Sequence, residues 1–144
     1  MSHFKSIKTQ IRDVESLRKA LADVGFSTVE VHDTPQGLYG FEGNLRPETA
    51  EVIVRRKYIG SASNDIGFKR QVDGQFTAII SNYDRGKYSQ EWVNQLTQRY
   101  AYHTLIARSG TEGFSIESEE SLEDRTEAGG GGEMGVAIAA IGLV

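Results

Sequence analysis

Apolar residues recur at helical spacing in two stretches of the chain. Val14, Leu17, Leu21 and Val24 form one stripe behind Asp13, a good N-cap residue, and predict a helix over residues 14–24. Glu15 is placed to pair with Lys19 on its exposed side. Trp92, Leu96, Tyr100, His103 and Ala107, widened by Val93 and Ile106, predict a second, longer helix. Ser89 opens it, and Gly110 or Gly113 stops it, with Gly113 favoured by a repeated phrase. Gly25-Phe26-Ser27-Thr28-Val29-Glu30 follows the first helix, and Gly113-Phe114-Ser115-Ile116-Glu117 the second. A Gly one step past a helix adopts the left-handed conformation that caps it, and the next apolar residue folds back onto the last turn. Phe26 should therefore meet Leu21.

Alternating positions predict strands over residues 3–11, 27–32, 38–41 and 50–58, and a hairpin whose arms carry Ile66, Phe68, Val72 and Phe76, Ala78, Ile80. Asp73-Gly74 between those arms is a favoured pair for a tight primed turn. Asp33-Thr34-Pro35-Gln36-Gly37 reads as a turn, and residues 42–49, with Gly43, Asn44 and Pro47, as a loop. The chain thus reads as strand–helix–strand, antiparallel strands, then strand–helix–strand. The expected fold is α+β: a ferredoxin-like split βαβ repeat, a mostly antiparallel sheet with two helices on one face and an extra hairpin.

At 144 residues, with 38% apolar and 25% charged residues, one domain over residues 1–118 is expected, followed by a tail over 119–144. There is no Cys, so disulfides, thiol nucleophiles and Cys-based metal sites are excluded. Charge is unevenly placed. From Glu112 onward eight acids meet one base, while residues 1–111 carry twelve acids and fifteen bases, so a mildly basic body bears an acidic tail. Gly129 to Gly132 lack the Lys-Ser or Lys-Thr pair of a phosphate cradle and read as a joint. The apolar run from Met134 to Val144 is too short for a membrane-spanning helix and reads as a buried or edge strand first, a disordered tail second and a membrane or partner contact last.

No catalytic constellation stands out. His3, His32 and His103 share no metal-ligand spacing, and no Ser occupies a Gly-x-Ser-x-Gly elbow. Asp65 and Asp84 are the acids most worth watching for acid–base work, although turn or capping roles suit them better. No cofactor and no metal is expected. The basic residues are more suggestive. Arg55, Arg56 and Lys57 run along one strand, Lys69 and Arg70 along the next, and Arg85 and Lys87 follow the third. Were those strands neighbours, the charges would form one patch with Tyr58, Phe68 and Tyr83 nearby. Such a patch suits a docking surface for an acidic protein, or an RNA-binding sheet face, or simply a solvated face that blunts sheet edges. The acidic pI, near 5.4, and the lack of RRM aromatic motifs weigh against RNA.

Six phrases in order resemble one family. They are Met1-Ser2-His3-Phe4-Lys5-Ser6-Ile7-Lys8-Thr9, Leu21-Ala22-Asp23-Val24-Gly25-Phe26, Asp65-Ile66-Gly67-Phe68, Val72-Asp73-Gly74-Gln75-Phe76, Gln98-Arg99-Tyr100-Ala101 and Glu112-Gly113-Phe114-Ser115-Ile116. Together, over residues 1–118, they resemble the hypothetical chloroplast reading frame 35 family, also known as domain of unknown function 1257. The family occurs in cyanobacteria and some algal plastid genomes. The resemblance implies a soluble, non-enzymatic accessory factor, in the cyanobacterial cytoplasm or plastid stroma and peripheral to thylakoids at most, that supports photosystem I assembly through a protein partner. It carries over no functional residue, since the shared positions Gly25, Gly67, Asp73, Gly74 and Gly113 are structural. After residue 118 the chain departs from the family pattern, where another strand would be expected.

Overall fold

A computed structural model of the chain describes residues 3–112. The chain divides into two compact units, Met1–Thr97 and Gln98–Val144. In order, the elements are β1 (Phe4–Lys8), α1 (Val14–Asp23), β2 (Glu30–Tyr39), β3 (Leu45–Val54), β4 (Ile66–Arg70), β5 (Phe76–Ser81) and α2 (Gln90–Glu112), with single 3-10 turns at Arg56–Tyr58 and Asp84–Gly86. The strands form one sheet in the order β1-β5-β4-β3-β2, every neighbouring pair antiparallel. The fold is α+β. By this order β1 and β2 run parallel at the two edges, joined through α1. The βαβ unit is split, with three strands between its halves where a ferredoxin-like unit has one.

Local chemistry explains the helix ends. Asp13 caps α1, its Oδ2 accepting the Ser16 N–H at 2.8 Å. At the other end Phe26 N–H donates to the Leu21 carbonyl (2.8 Å) and Gly25 N–H to that of Ala22 (3.1 Å), with Gly25 at φ 106°. That paired closure is a Schellman motif, and it brings Phe26 inward rather than to water. Phe26 then packs on Tyr88 and Trp92, at centroid distances of 5.7 and 6.3 Å. Glu15 pairs with Arg18 three positions on, not with Lys19. Ser89 lies under the first turn of α2, and that helix continues through Gly110 to Glu112. Gly113, the strand expected after it and the tail lie outside the described residues.

Register separates the two faces of the sheet. Val52, Phe68 and Ala78 lie in one cross-strand row, flanked by Val54, Ile66, Phe76 and Ile80; all seven are fully buried. Leu17, Ala20 and Leu21 of α1 and Val93 and Leu96 of α2 complete the core. Each large side chain so buried stabilises the fold by roughly 1.5–3 kcal/mol relative to exposure. On the second face, Ile53, Gly67 and Ile79 form the equivalent row.

The second face is covered by the sheet's own hairpin. Between Val31 and Gln36 β2 advances five residues while β3 advances two, and between Gly37 and Tyr39 the excess falls on β3. Such bulges bend a ribbon. The residues that the sequence suggests are a turn, Asp33 to Gly37, are the first of these bulges, inside one continuous strand. The distal arm therefore curls back over the second face. Leu38 and Ala50 join Ile53 and Ile79 in a small buried cluster with Phe4 beside it. Gly67 makes the close approach possible, since a Cβ there would lie 2.7 Å from that of Ala50. The β4–β5 connection is also longer than expected. Gly74 N–H donates to the Gln71 carbonyl (2.9 Å), so Val72 and Asp73 are the central turn residues and Gly74, at φ 88°, follows them.

Candidate functional site

Asn64 and Asp65, the two residues before β4, hold together three loops at one end of the sheet. Asp65 is fully buried. Its Oδ1 accepts the Arg56 N–H at 2.7 Å; its Oδ2 accepts the Tyr39 N–H at 2.7 Å and Arg55 Nη1 at 2.8 Å. The Asp65 N–H in turn donates to the Tyr39 carbonyl at 3.0 Å. Asn64 Oδ1 accepts the Phe41 N–H at 2.8 Å, and its Nδ2 donates to Ser81 Oγ at 2.9 Å. The Asn64 N–H and the Ser81 hydroxyl both donate to Asp84 Oδ2, at 2.9 and 2.8 Å. The tip of the curled hairpin, the β3–β4 connection and the β5–α2 connection are thus tied through two adjacent side chains.

Arg55 is the positive counterpart. Its Nε and Nη2 make a bidentate pair with Glu30 (2.9 and 2.8 Å), and Nη1 reaches both Asp65 and the Gly37 carbonyl (3.0 Å). The guanidinium also lies 5.5 Å from the centre of the Tyr39 ring. These hydrogen bonds, with help from His32 Nε2 at 2.9 Å and against some desolvation, hold the Glu30 carboxyl down at about 2. The same bonds to Glu30 raise Arg55 further above its already high value. Arg56 donates from Nη2 to the Phe41 and Ser61 carbonyls (2.8 and 2.6 Å) and from Nε to that of Ser63 (2.9 Å). Its donors close the loop around Asp65.

The seven basic residues picked out in the sequence fall into two groups. Arg55, Arg56, Lys57, Arg85 and Lys87 lie at the knotted end. Lys69 and Arg70 lie at the far end of β4, where Lys69 Nζ reaches Thr49 Oγ1 (3.0 Å) and Arg70 stacks on Phe76 at 4.4 Å. The sheet does not gather all seven into one patch, and Phe68 is buried in the core. Tyr58 and Tyr83, singled out in the sequence, are exposed on these loops, and what the sequence left unnoticed is that Tyr39, Phe41 and Leu45 are exposed as well. The signal was present as a bare coincidence of aromatics with the Gly40–Asn44 and Ile59–Asn64 turns. Among the described residues no cluster of His, Asp and Glu could hold a metal ion. No helix among them is long and apolar enough to cross a membrane.

Comparison with known proteins gives the family. The family described as "Protein of unknown function (DUF1257)" matches residues 20–128. The chain is similar to an uncharacterised protein, ycf35, of Cyanophora paradoxa, 26% identical over 125 residues. It is similar at the same identity and length to ycf35 of Guillardia theta, and at 24% over 133 residues to ycf35 of Pyropia yezoensis. Each comparison covers 86% of this chain and 91% of the relative. No solved structure matches. The chain belongs to the DUF1257 family.

Proposed function

We propose that this member of the DUF1257 family is a non-enzymatic docking factor that uses the knotted end of its sheet to hold a photosystem I assembly intermediate. One observation carries the reading. Two buried acids, Asp65 and Asp84, direct their oxygens to backbone and side-chain donors of three loops, and those loops carry exposed rings. Buried carboxylates whose oxygens are taken up by such donors suit fixing loop geometry better than exchanging a proton with a substrate. A fixed rim of Tyr, Phe and Leu loses little side-chain freedom when covered, which favours binding. The photosystem part of the proposal comes from the family resemblance in the sequence phrases. Its setting would be the cyanobacterial cytoplasm or the plastid stroma.

The test is recovery of the affinity-tagged chain from a photosynthetic host, together with deletion of its gene. Photosystem I subunits should accompany the tagged chain, and photosystem I should fall on deletion. Recovery of the chain without any such subunit, with photosystem I unchanged in the deletion strain, would reject the proposal. The RNA-binding alternative based on Arg55, Arg56, Lys57, Lys69 and Arg70 has less support. Arg55 and Arg56 direct their guanidinium groups to Glu30, Asp65 and backbone carbonyls, and Lys69 and Arg70 sit at the opposite end of β4 from Lys57.

A further inference from the structure

We infer that the knotted end receives an acidic protein segment that also carries apolar side chains, a reading that rests on the docking role above and specifies its partner's chemistry. Single exposed apolar residues are ordinary on a protein surface, but contiguous ones mark contact sites. Here Phe41 lies on the hairpin tip tied to Asn64, Tyr58 lies in the turn that follows Arg56, and Tyr83 stands next to Asp84. The knot ties together the three loops that carry these exposed rings.

The exposed charge on the same loops is mainly positive. Arg56, Lys57, Arg85 and Lys87 face a single exposed acid, Glu42, because Asp65 and Asp84 are turned inward. Lys57 Nζ stands 5.1 Å from the centre of the exposed Tyr58 ring, while Lys87 Nζ stands 5.5 Å from that of Tyr88, which is buried, and so adds its charge alone. An ammonium beside a ring offers two things at once: a carboxylate partner and an apolar surface for the adjoining side chain. Alternating acidic and apolar residues match that pairing.

A polynucleotide fits less well. Phosphate-dominated binding needs several cations with donors directed outward. Of the cations here, Arg55 forks onto Glu30, Arg56 onto three carbonyls and half-buried Arg85 onto Asn82 Oδ1, which leaves the two lysines as the most exposed charges. Two lysines suit a short acidic stretch better than a polyanion backbone.

The experiment is fluorescence anisotropy on the full chain. The probe is a labelled synthetic peptide alternating Glu with Leu and Phe, compared with its Lys-for-Glu counterpart and with an oligouridylate of similar length. The acidic peptide should bind about tenfold or more tightly than either comparator, and more weakly as salt rises from about 50 to about 300 mM. The double variant K57E/K87E should weaken it by about tenfold, and Phe41→Ala by several-fold, with Lys8→Glu on β1 leaving it unchanged. Equal binding of the acidic and basic peptides, tighter binding of the oligouridylate, or an unaffected double variant would each overturn the inference. The double variant also separates this inference from the docking reading. Should tagged K57E/K87E retain photosystem I subunits as well as the unaltered chain does, docking stands and this surface is wrong. Should neither retain them, docking itself fails and the inference goes with it.

Discussion

Asp65 and Tyr39 grip each other twice, the Asp65 carboxylate on the Tyr39 N–H at 2.7 Å and the Tyr39 carbonyl on the Asp65 N–H at 3.0 Å. Tyr39 is the last residue of β2 and Asp65 precedes β4, a strand that does not adjoin β2 in the sheet. The reciprocal bond is therefore a clasp on the curled hairpin, not part of a ladder. It locates the site and governs how it should respond to change.

Removing the clasp should loosen the hairpin and weaken the fold. Asp65→Ala leaves Arg55 short of one charge partner and two part-buried backbone N–H groups, of Tyr39 and Arg56, without this acceptor. The expected loss is about 3–5 kcal/mol, in the range for breaking a buried pair from one side. Urea unfolding measures it. A loss below about 1 kcal/mol would show that the clasp does not hold the arm.

Acid should act on the Glu30–Arg55 pair in a defined window. Glu30 is held at about 2 in the folded chain against 4.5 for an unperturbed carboxyl. A depressed folded value means that its contribution is fully present above 4.5 and disappears as the pH falls toward 2. Glu30→Gln should therefore destabilise the protein near neutral pH, and the gap between variant and unaltered chain should close through that window. Because Glu30 is partly exposed, solvent screening keeps the gap modest. Unfolding curves at about pH 6 and about pH 3 are sufficient, and a gap that stays constant or widens with acid contradicts the assignment.

Gly67 should not tolerate a methyl group. A Cβ there would lie 2.7 Å from Ala50 Cβ and 3.0 Å from Leu38 Cδ2, so the arm must lift or the sheet shift. Gly67→Ala should cost about 1–3 kcal/mol by overcrowding. Adding Ala50→Gly should recover part of the loss, a non-additivity that a double-mutant cycle detects. Purely additive effects would mean that the arm does not press on this strand.

Phe26 should be one of the more costly core positions. Its ring meets Tyr88 and Trp92, and its backbone closes α1. Phe26→Ala should cost about 3–5 kcal/mol. Trp92 is the single tryptophan of the chain, so its emission reports on this cluster directly. A red shift in the folded variant is expected; unchanged emission and stability would place Phe26 outside the core.

Much of this molecule is written in local pattern. Helical spacing with Asp13 and Gly25 as punctuation sets α1, because capping chemistry depends on a few adjacent residues. The alternation around Asp73-Gly74 sets the β4–β5 hairpin for the same reason. What local pattern misplaced was β2. Pro35 and Gly37 signal a break in regular pairing, but a turn and a bulge use the same residues, and only the partner strand distinguishes them. Asp65 and Asp84 carry the same lesson. Each reads as a capping residue from its neighbours, and each in fact caps backbone far away in sequence, Tyr39 and Asn64.

The sequence by itself determined the helix limits near Asp13, Gly25 and Ser89, the α+β class, the family and the absence of cysteine chemistry, since all of these follow from residue type and short-range order. Tertiary structure alone decided that the hairpin curls over Gly67, that Arg55 belongs to Glu30 and Asp65, and that Lys69 and Arg70 stand apart from the other cations. The physical reason is that a carboxylate selects its donors by distance in space. Which distances become short is settled only when bulges, strand order and packing act together.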